Sequence, residues 1–192
     1  MHSAIIRHMQ TVILKKTFNK GDFKAGASVL KIGCWYLISL CFFRSGLMPF
    51  SIVLVGLLRL FGAKIGKDVR IKPGIFIRYP WKLLLGNHCW LADCYIDNLD
   101  FVSLGDHVCI SQQAMLLTGN HDYNSSDFDL RTGPINLKDG VWVCARAIVC
   151  PGLTLFSHAV LCSGAVAQKD LRAYAIYQGN PAICVKKRNI KP

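Results

Sequence analysis

From residue 65 to 167 the chain returns to an aliphatic residue at nearly every sixth position. The slots are Ile65, Ile71, Ile77, Leu85, Leu91, Leu104, Ile110, Leu116, Leu137, Val143, Val149, Leu155, Leu161 and Ala167, with Asp97 in the slot after Leu91. A second small or apolar residue stands two positions before many of them, as at Val69, Ala114, Val141 and Ala159. A beat of six fits neither the 3.6-residue period of a helix nor one long alternating strand. It fits an all-β solenoid, in which three short strands and their turns make one triangular coil. Each slot residue then points inward and stacks on its equivalent in the next coil. Fifteen slots make five coils, about 24 Å tall at one strand spacing per coil.

The irregular intervals carry further information. Spacing is six except from Ile77 to Leu85 (eight), Asp97 to Leu104 (seven) and Leu116 to Leu137 (twenty-one). Every exception follows a third strand, so all three insertions leave from one corner. Insertions gathered on one side mark a working face. The longest opens with "LTGNHDY" (117–123).

Net charge is +12, from 23 Lys and Arg against 11 Asp and Glu. That favours anionic partners such as acidic lipid or a phosphorylated cofactor. Nucleic acid is disfavoured, because the charges are spread, aromatic residues do not interleave with them and no nucleic-acid motif is present. The nine cysteines form no CxxC pair and no metal-ligand spacing, so no metal is expected. They read as reduced, buried, small apolar residues of a cytosolic protein, in keeping with an N-terminus that lacks a signal-peptide layout.

Two apolar blocks, "IGCWYLISLCFF" (32–43) and "GLMPFSIVLVGLL" (46–58), follow Lys15, Lys16, Lys20, Lys24 and Lys31. Neither reaches the roughly 18–20 residues of a spanning helix. Joined, they would carry Arg44 and Pro49 mid-span. They are expected to form helices that pack on the rest of the protein or lie on a membrane surface. The chain thus divides into a basic and apolar helical segment (1–62), the solenoid (63–170, with a loop over 117–136) and a C-terminal tail (171–192).

The repeat, with "TGNHDY" (118–123), "DGVWVCARAIVCPGLTL" (139–155), "AVAQKDL" (165–171) and "GNPA" (179–182), resembles the hexapeptide-repeat acyltransferases. "LRLFGAKIGKDV" (58–69) and residues 91–123 are most similar to the acetyltransferases of colanic acid and other exopolysaccharide pathways. The resemblance implies a left-handed parallel β-helix, a homotrimer with clefts shared between subunits, and acetyl-CoA-dependent O-acetylation of a sugar or lipid-linked sugar. It differs from the common pattern in Cys144, Cys150, Phe156 and Cys162, where many members carry glycine, and in "QKD" (168–170) for "TKD". Phe156 is too large for the coil interior and is expected to point outward.

O-acetyl transfer needs a base to take the proton of the attacking hydroxyl, and imidazole suits that task near neutral pH. His121 opens the long insertion and is the candidate. The resemblance implies that its other nitrogen is held by a carbonyl or carboxylate, with Asp122 nearby. It also implies that Asp93 reaches the acceptor across a subunit boundary. Asp97 and Asn98 are weaker candidates. For coenzyme A the resemblance implies backbone contacts from Ala145 and Ser163, contact from Gln168, cationic contacts from Lys169 and Lys186, and Trp142 beside the pantetheine channel. The run "KKR" (186–188) offers further charge for phosphate or acidic lipid.

Alternatives within the same fold are a non-catalytic scaffold and an acyltransferase for another small hydroxyl acceptor. A zinc lyase like the γ-class carbonic anhydrases would need three convergent histidines. His88, His107, His121 and His158 are dispersed in sequence, with no H-x4-H pair.

Overall fold

The computed structural model describes residues 11–14 and 20–191. Its body is a left-handed parallel β-helix with three faces. Face A stacks Lys64–Ile65, Leu83–Leu85, Val102–Leu104, Ile135–Leu137 and Thr154–Leu155. Face B stacks Arg70–Ile71, Trp90–Leu91, Cys109–Ile110, Trp142–Val143, Val160–Leu161 and Ala175–Gln178. Face C stacks Phe76–Ile77, Tyr95–Asp97, Met115–Leu117, Ile148–Val149 and Val166–Ala167. Five coils are complete. Coiling continues past residue 170, because Leu171 bridges Leu155 on face A and Ala175–Gln178 pairs with Val160–Leu161 on face B. The strand Ile183–Lys187 then turns back antiparallel and ends face B.

The slot residues form the core. Ile71, Leu91, Ile110, Val143 and Leu161 line one wall with Tyr177 above them, and all are buried. One slot is corrected. Ile96, not Asp97, is fully enclosed and pairs with Ile77 below and Leu116 above. Asp97 faces outward and is ion-paired with Arg78. A carboxylate in that column would have no partner to offset its desolvation. The turn before it is one residue short, since the N–H of Cys94 donates to the carbonyl of Ala92 (2.8 Å). The equivalent turns in later coils close one residue wider, as from Ala147 N–H to Cys144 O (3.2 Å). A strict count of six hides that contraction.

The corner between faces A and B depends on the absence of side chains. A Cβ on Gly86 would lie 2.6 Å from the carbonyl carbon of Gly105. The next residues along this corner include Asp68, His88, His107, His158 and Tyr174, all at positive φ. Three histidines that look dispersed in sequence therefore share one corner. His88 and His107 stack at 4.9 Å, and His158 packs on Tyr174. Among the described residues no group of His, Cys, Asp and Glu could hold a metal ion.

The apolar blocks fold as helix α1 (Val29–Ile38), a π-helical turn (Ser39–Arg44) and helix α2 (Ser51–Leu60). No described helix is long and apolar enough to cross a membrane. Trp35, Phe43, Leu54 and Leu58 are buried against the first coil. The same elements satisfy that coil's outer backbone edge. Trp35 Nε1 donates to Ile77 O (3.0 Å), Gly74 N–H to Phe43 O (2.7 Å), and Ile71 N–H to the Ser51 hydroxyl (2.8 Å). Arg59 donates to the carbonyls of Ile65 and Gly66 (3.0 and 2.7 Å).

Two side-chain expectations resolve at this level. Phe156 does point outward, 44% exposed. The cysteines are all free, but only Cys89, Cys94 and Cys144 are buried, while Cys34, Cys41 and Cys184 are exposed. Burial pushes the Cys94 thiol up to about 12 and Cys144 to about 11, so both stay protonated.

The corrected register predicts that Ile96→Ala lowers the free energy of unfolding by about 2–5 kcal/mol. Asp97→Ala, which removes a partly exposed ion pair, should cost clearly less. Denaturant unfolding of the two variants measures the difference.

Candidate active site

The long insertion leaves the corner between faces C and A after the third coil. It is an antiparallel hairpin, Gly119–His121 paired with Leu130–Thr132. Its base is fixed from below by Thr118, which is fully buried. The Thr118 hydroxyl donates to Asp97 O (2.9 Å) and accepts from Asp100 N–H (2.9 Å). Gly133 N–H returns to Thr118 O (2.9 Å), closing the loop on itself.

His121 ends the first strand of this hairpin, half-buried. Register sets what it meets. Its partner is Leu130, and the chain between them brings Phe128 onto the imidazole, ring on ring at 4.4 Å. The Phe128 carbonyl lies 2.8 Å from Nδ1. A carbonyl can only accept, so Nδ1 carries the proton and Nε2 is the basic nitrogen. Phe128 holds this position at φ 53°, a backbone region that bulky residues seldom occupy.

Asp122 does not hold the imidazole. Its carboxylate is ion-paired with Arg131 and accepts from Asn124 N–H (3.0 Å), and its own N–H donates to Asp129 O (2.8 Å). It braces the hairpin that carries the histidine. An open cup at the hairpin is lined by Asn120, His121, Asp122, Tyr123, Asn124 and Arg131.

The other predicted residues fall into separate places. Gln168 and Lys169 are exposed on the same corner as His121, two coils higher. Asp93, Ala145 and Ser163 lie on the corner between faces B and C. Asp93 is the apex of the shortened turn, with Ala92 O bonded to Cys94 N–H across it. Trp142 stands on face B just before this corner, 43% exposed, and its Nε1 donates to Ser111 Oγ (2.9 Å). Lys186 is exposed on the terminal strand of face B, opposite Ile176. Within one chain, then, His121 and Asp93 are a full side of the triangle apart, on the order of 15–20 Å for six residues of strand and turn. Of the weaker candidates, Asn98 is buried and bonds both backbone groups of Tyr79 (2.6 and 2.9 Å), and the Asp97 carboxylate is ion-paired with Arg78. Arg188 of the "KKR" run donates to the carbonyls of Gly140 and His158 (2.9 and 3.1 Å), so it fastens the C-terminus to the stack.

Phe128 and Arg131 were missed from sequence. They contact the site only through hairpin register, which no local motif encodes.

No protein-family model matches the chain. It is 35% identical over 164 residues to a protein of Escherichia coli K12 named as the colanic acid biosynthesis acetyltransferase WcaF, covering 85% of this chain and 90% of that one. A hexapeptide-repeat acetyltransferase of Vibrio cholerae, solved with acetyl coenzyme A, superposes with a TM-score of 0.77 at 17% identity, covering 86% and 92% of the two chains. A maltose O-acetyltransferase of Clostridium difficile 630 superposes at 0.68 with 21% identity, covering 85% and 90%.

The Phe128 carbonyl predicts that His121 is predominantly the Nδ1-protonated tautomer when neutral. Long-range ¹H–¹⁵N NMR of the imidazole should show an unprotonated Nε2, and an Nε2-protonated ring would contradict the geometry.

Proposed function

This chain belongs to the hexapeptide-repeat acetyltransferases, and we propose that it transfers acetyl from acetyl-CoA to a sugar hydroxyl in polysaccharide biosynthesis. The observation that carries this is the oriented imidazole of His121 at the mouth of the one long insertion. Its Nε2 takes the proton of the acceptor hydroxyl as the oxygen attacks the thioester carbonyl, and the thiolate of coenzyme A leaves. Phe128 fixes the tautomer and the plane of the ring. A sugar acceptor is supported by the relatives, which are named for colanic acid and maltose.

The residues present fit the donor. Ala145 and Ser163 make the upper B–C corner small, and a Cβ on the neighbouring Gly164 would meet nothing within 4 Å. An extended pantetheine arm can lie along this column beside Trp142. Lys169, and Lys186 at the end of the stack, supply cations for phosphate, and Gln168 lies beside Lys169.

On this reading a second copy brings the two corners together. His121, Gln168 and Lys169 of one subunit meet Asp93, Ala145 and Ser163 of the next when the C–A corner of one prism faces the B–C corner of its neighbour. Repeated about a three-fold axis, this heterologous contact closes as a homotrimer. Asp93 then reaches the acceptor from across the boundary.

The helical cap has a second face. Val29, Leu30, Leu37, Leu47, Phe50, Ile52 and Leu60 are exposed. No acidic residue occurs between Asp22 and Asp68, while Lys24, Lys31, Arg44, Arg59, Lys64 and Lys67 do. This pattern suits peripheral association with an anionic membrane surface, on the cytoplasmic side for a cytosolic enzyme.

His121→Ala should lower kcat by about 10²–10⁴-fold while acetyl-CoA still binds. Lys169→Ala should raise KM for acetyl-CoA about tenfold with kcat closer to normal. Steady-state kinetics with a responsive acceptor separates the two, and near-normal turnover in His121→Ala would remove it as the base. Native mass spectrometry at micromolar concentration should give a trimer. Vesicles containing phosphatidylglycerol should co-sediment the protein, and the double variant Leu47→Asp/Ile52→Asp should stay in solution.

A further inference from the structure

A groove on face B below Trp142 takes no part in the chemistry above. Arg70, Lys72, Trp90, Ala92, Ser111 and Gln112 are among the residues that line it. Its volume is about 160 Å³, well under the roughly 300–1,000 Å³ of a complete small-molecule site. It therefore takes one group of a larger substrate.

Its chemistry is specific. Ile71 points into the core, so its neighbours Arg70 and Lys72 both project outward on the same side of the strand. The guanidinium carbon of Arg70 lies 5.9 Å from the ring centre of Trp90, which is 58% exposed. No carboxylate lines the groove. Other arginines of the stack are engaged in structure: Arg78 on Asp97, Arg131 on Asp122, and Arg59 and Arg188 on backbone carbonyls. Arg70 instead presents its charge beside an aromatic face.

Position supplies the rest. Arg70, Trp90, Cys109 and Trp142 are successive partners up face B, so three coil rises, about 14 Å, separate the cations from the donor channel. Asp93, the acceptor-side carboxylate, follows Ala92 at the rim. Ser111 joins the groove to the channel through its bond to Trp142. At the other end, Ser51 of α2 bonds Ile71 and Val69, so the cation pair sits at the edge of the helical cap.

We propose that Arg70 and Lys72 anchor a phosphate or diphosphate on the anomeric carbon of the acceptor, while Trp90 packs against the sugar ring that follows. A guanidinium and an ammonium match phosphate oxygens, and the flat indole matches the C–H face of a pyranose. The acceptor is thus a glycosyl phosphate rather than a free sugar. This rests on the O-acetyltransferase function proposed above. The phosphate can come from a lipid-linked or a nucleotide-linked sugar.

Two measurements test it. First, inorganic pyrophosphate is titrated by calorimetry into protein saturated with coenzyme A, which occupies the donor's own phosphate contacts. Wild type should bind, and Arg70→Ala/Lys72→Ala should bind at least tenfold more weakly with unchanged acetyl-CoA affinity. Trp90→Phe should retain pyrophosphate but lose the accompanying change in tryptophan fluorescence. No binding by wild type, or undiminished binding by the double variant, overturns the site. Second, a panel of hexoses is offered free, as 1-phosphates, as uridine diphosphate sugars and as farnesyl diphosphate sugars. Wild type should prefer phosphorylated forms in kcat/KM by at least tenfold, and the double variant should lose that preference. The best phosphorylated form identifies the source. Equal use of free sugar by wild type overturns the proposal. Retained pyrophosphate binding with no acetylation of any acceptor supports the anion site but overturns the sugar-acetylation function.

Discussion

Every described strand is two to five residues long, so none could persist alone. What stabilises them is the parallel ladder between coils. Each coil gives its backbone donors and acceptors to the coils above and below, and its inward side chain to a column of like residues. A coil cannot form without a neighbour, and the two ends cannot be left bare. At one end Trp35, Ser51 and Arg59 hydrogen-bond the open edge while Leu54 and Leu58 cover the apolar column. At the other, Ile183–Lys187 turns back antiparallel and Arg188 fastens it. The helical segment is therefore part of the fold's stability, whatever its outer face touches.

The same constraint decides where chemistry can sit. The interior columns tolerate neither extra residues nor charge, as the exclusion of Asp97 in favour of Ile96 demonstrates. Variation is confined to corners. The C–A corner accepts a hairpin, and the hairpin has its own rigid device in Thr118, the Asp122–Arg131 pair and the Phe128 stack. The B–C corner contracts by one residue at Asp93. A prism cannot bend these two corners together, because each side is a taut strand. Face B, which runs up to the B–C corner, carries the groove of Arg70, Lys72 and Trp90 beside the cap.

Much of this was legible in the chain. The period of six dictated a solenoid with three sides, because only inward residues on a triangular coil recur at that interval. The clustering of insertions after third strands located the corner that carries the hairpin, and the histidine at the start of the longest insertion stands on that hairpin. The contraction at Asp93 was not legible, since removing one residue before Ile96 and adding one after it leaves the count nearly intact.

Sequence alone determined the coil, its corner of insertion and the apolar character of the N-terminal blocks, because these follow from periodicity and local composition. Tertiary structure alone decided what His121 touches, since Phe128 reaches it only through hairpin register. It also decided that Asp122 braces rather than orients, that three scattered histidines share one corner, and that Arg70, Lys72 and Trp90 meet in one groove. For the shared histidine corner and the groove the physical reason is the same. Residues about twenty apart in sequence become neighbours at one strand spacing only when successive coils stack, and that distance is set by the backbone ladder, not by the side chains that it brings together.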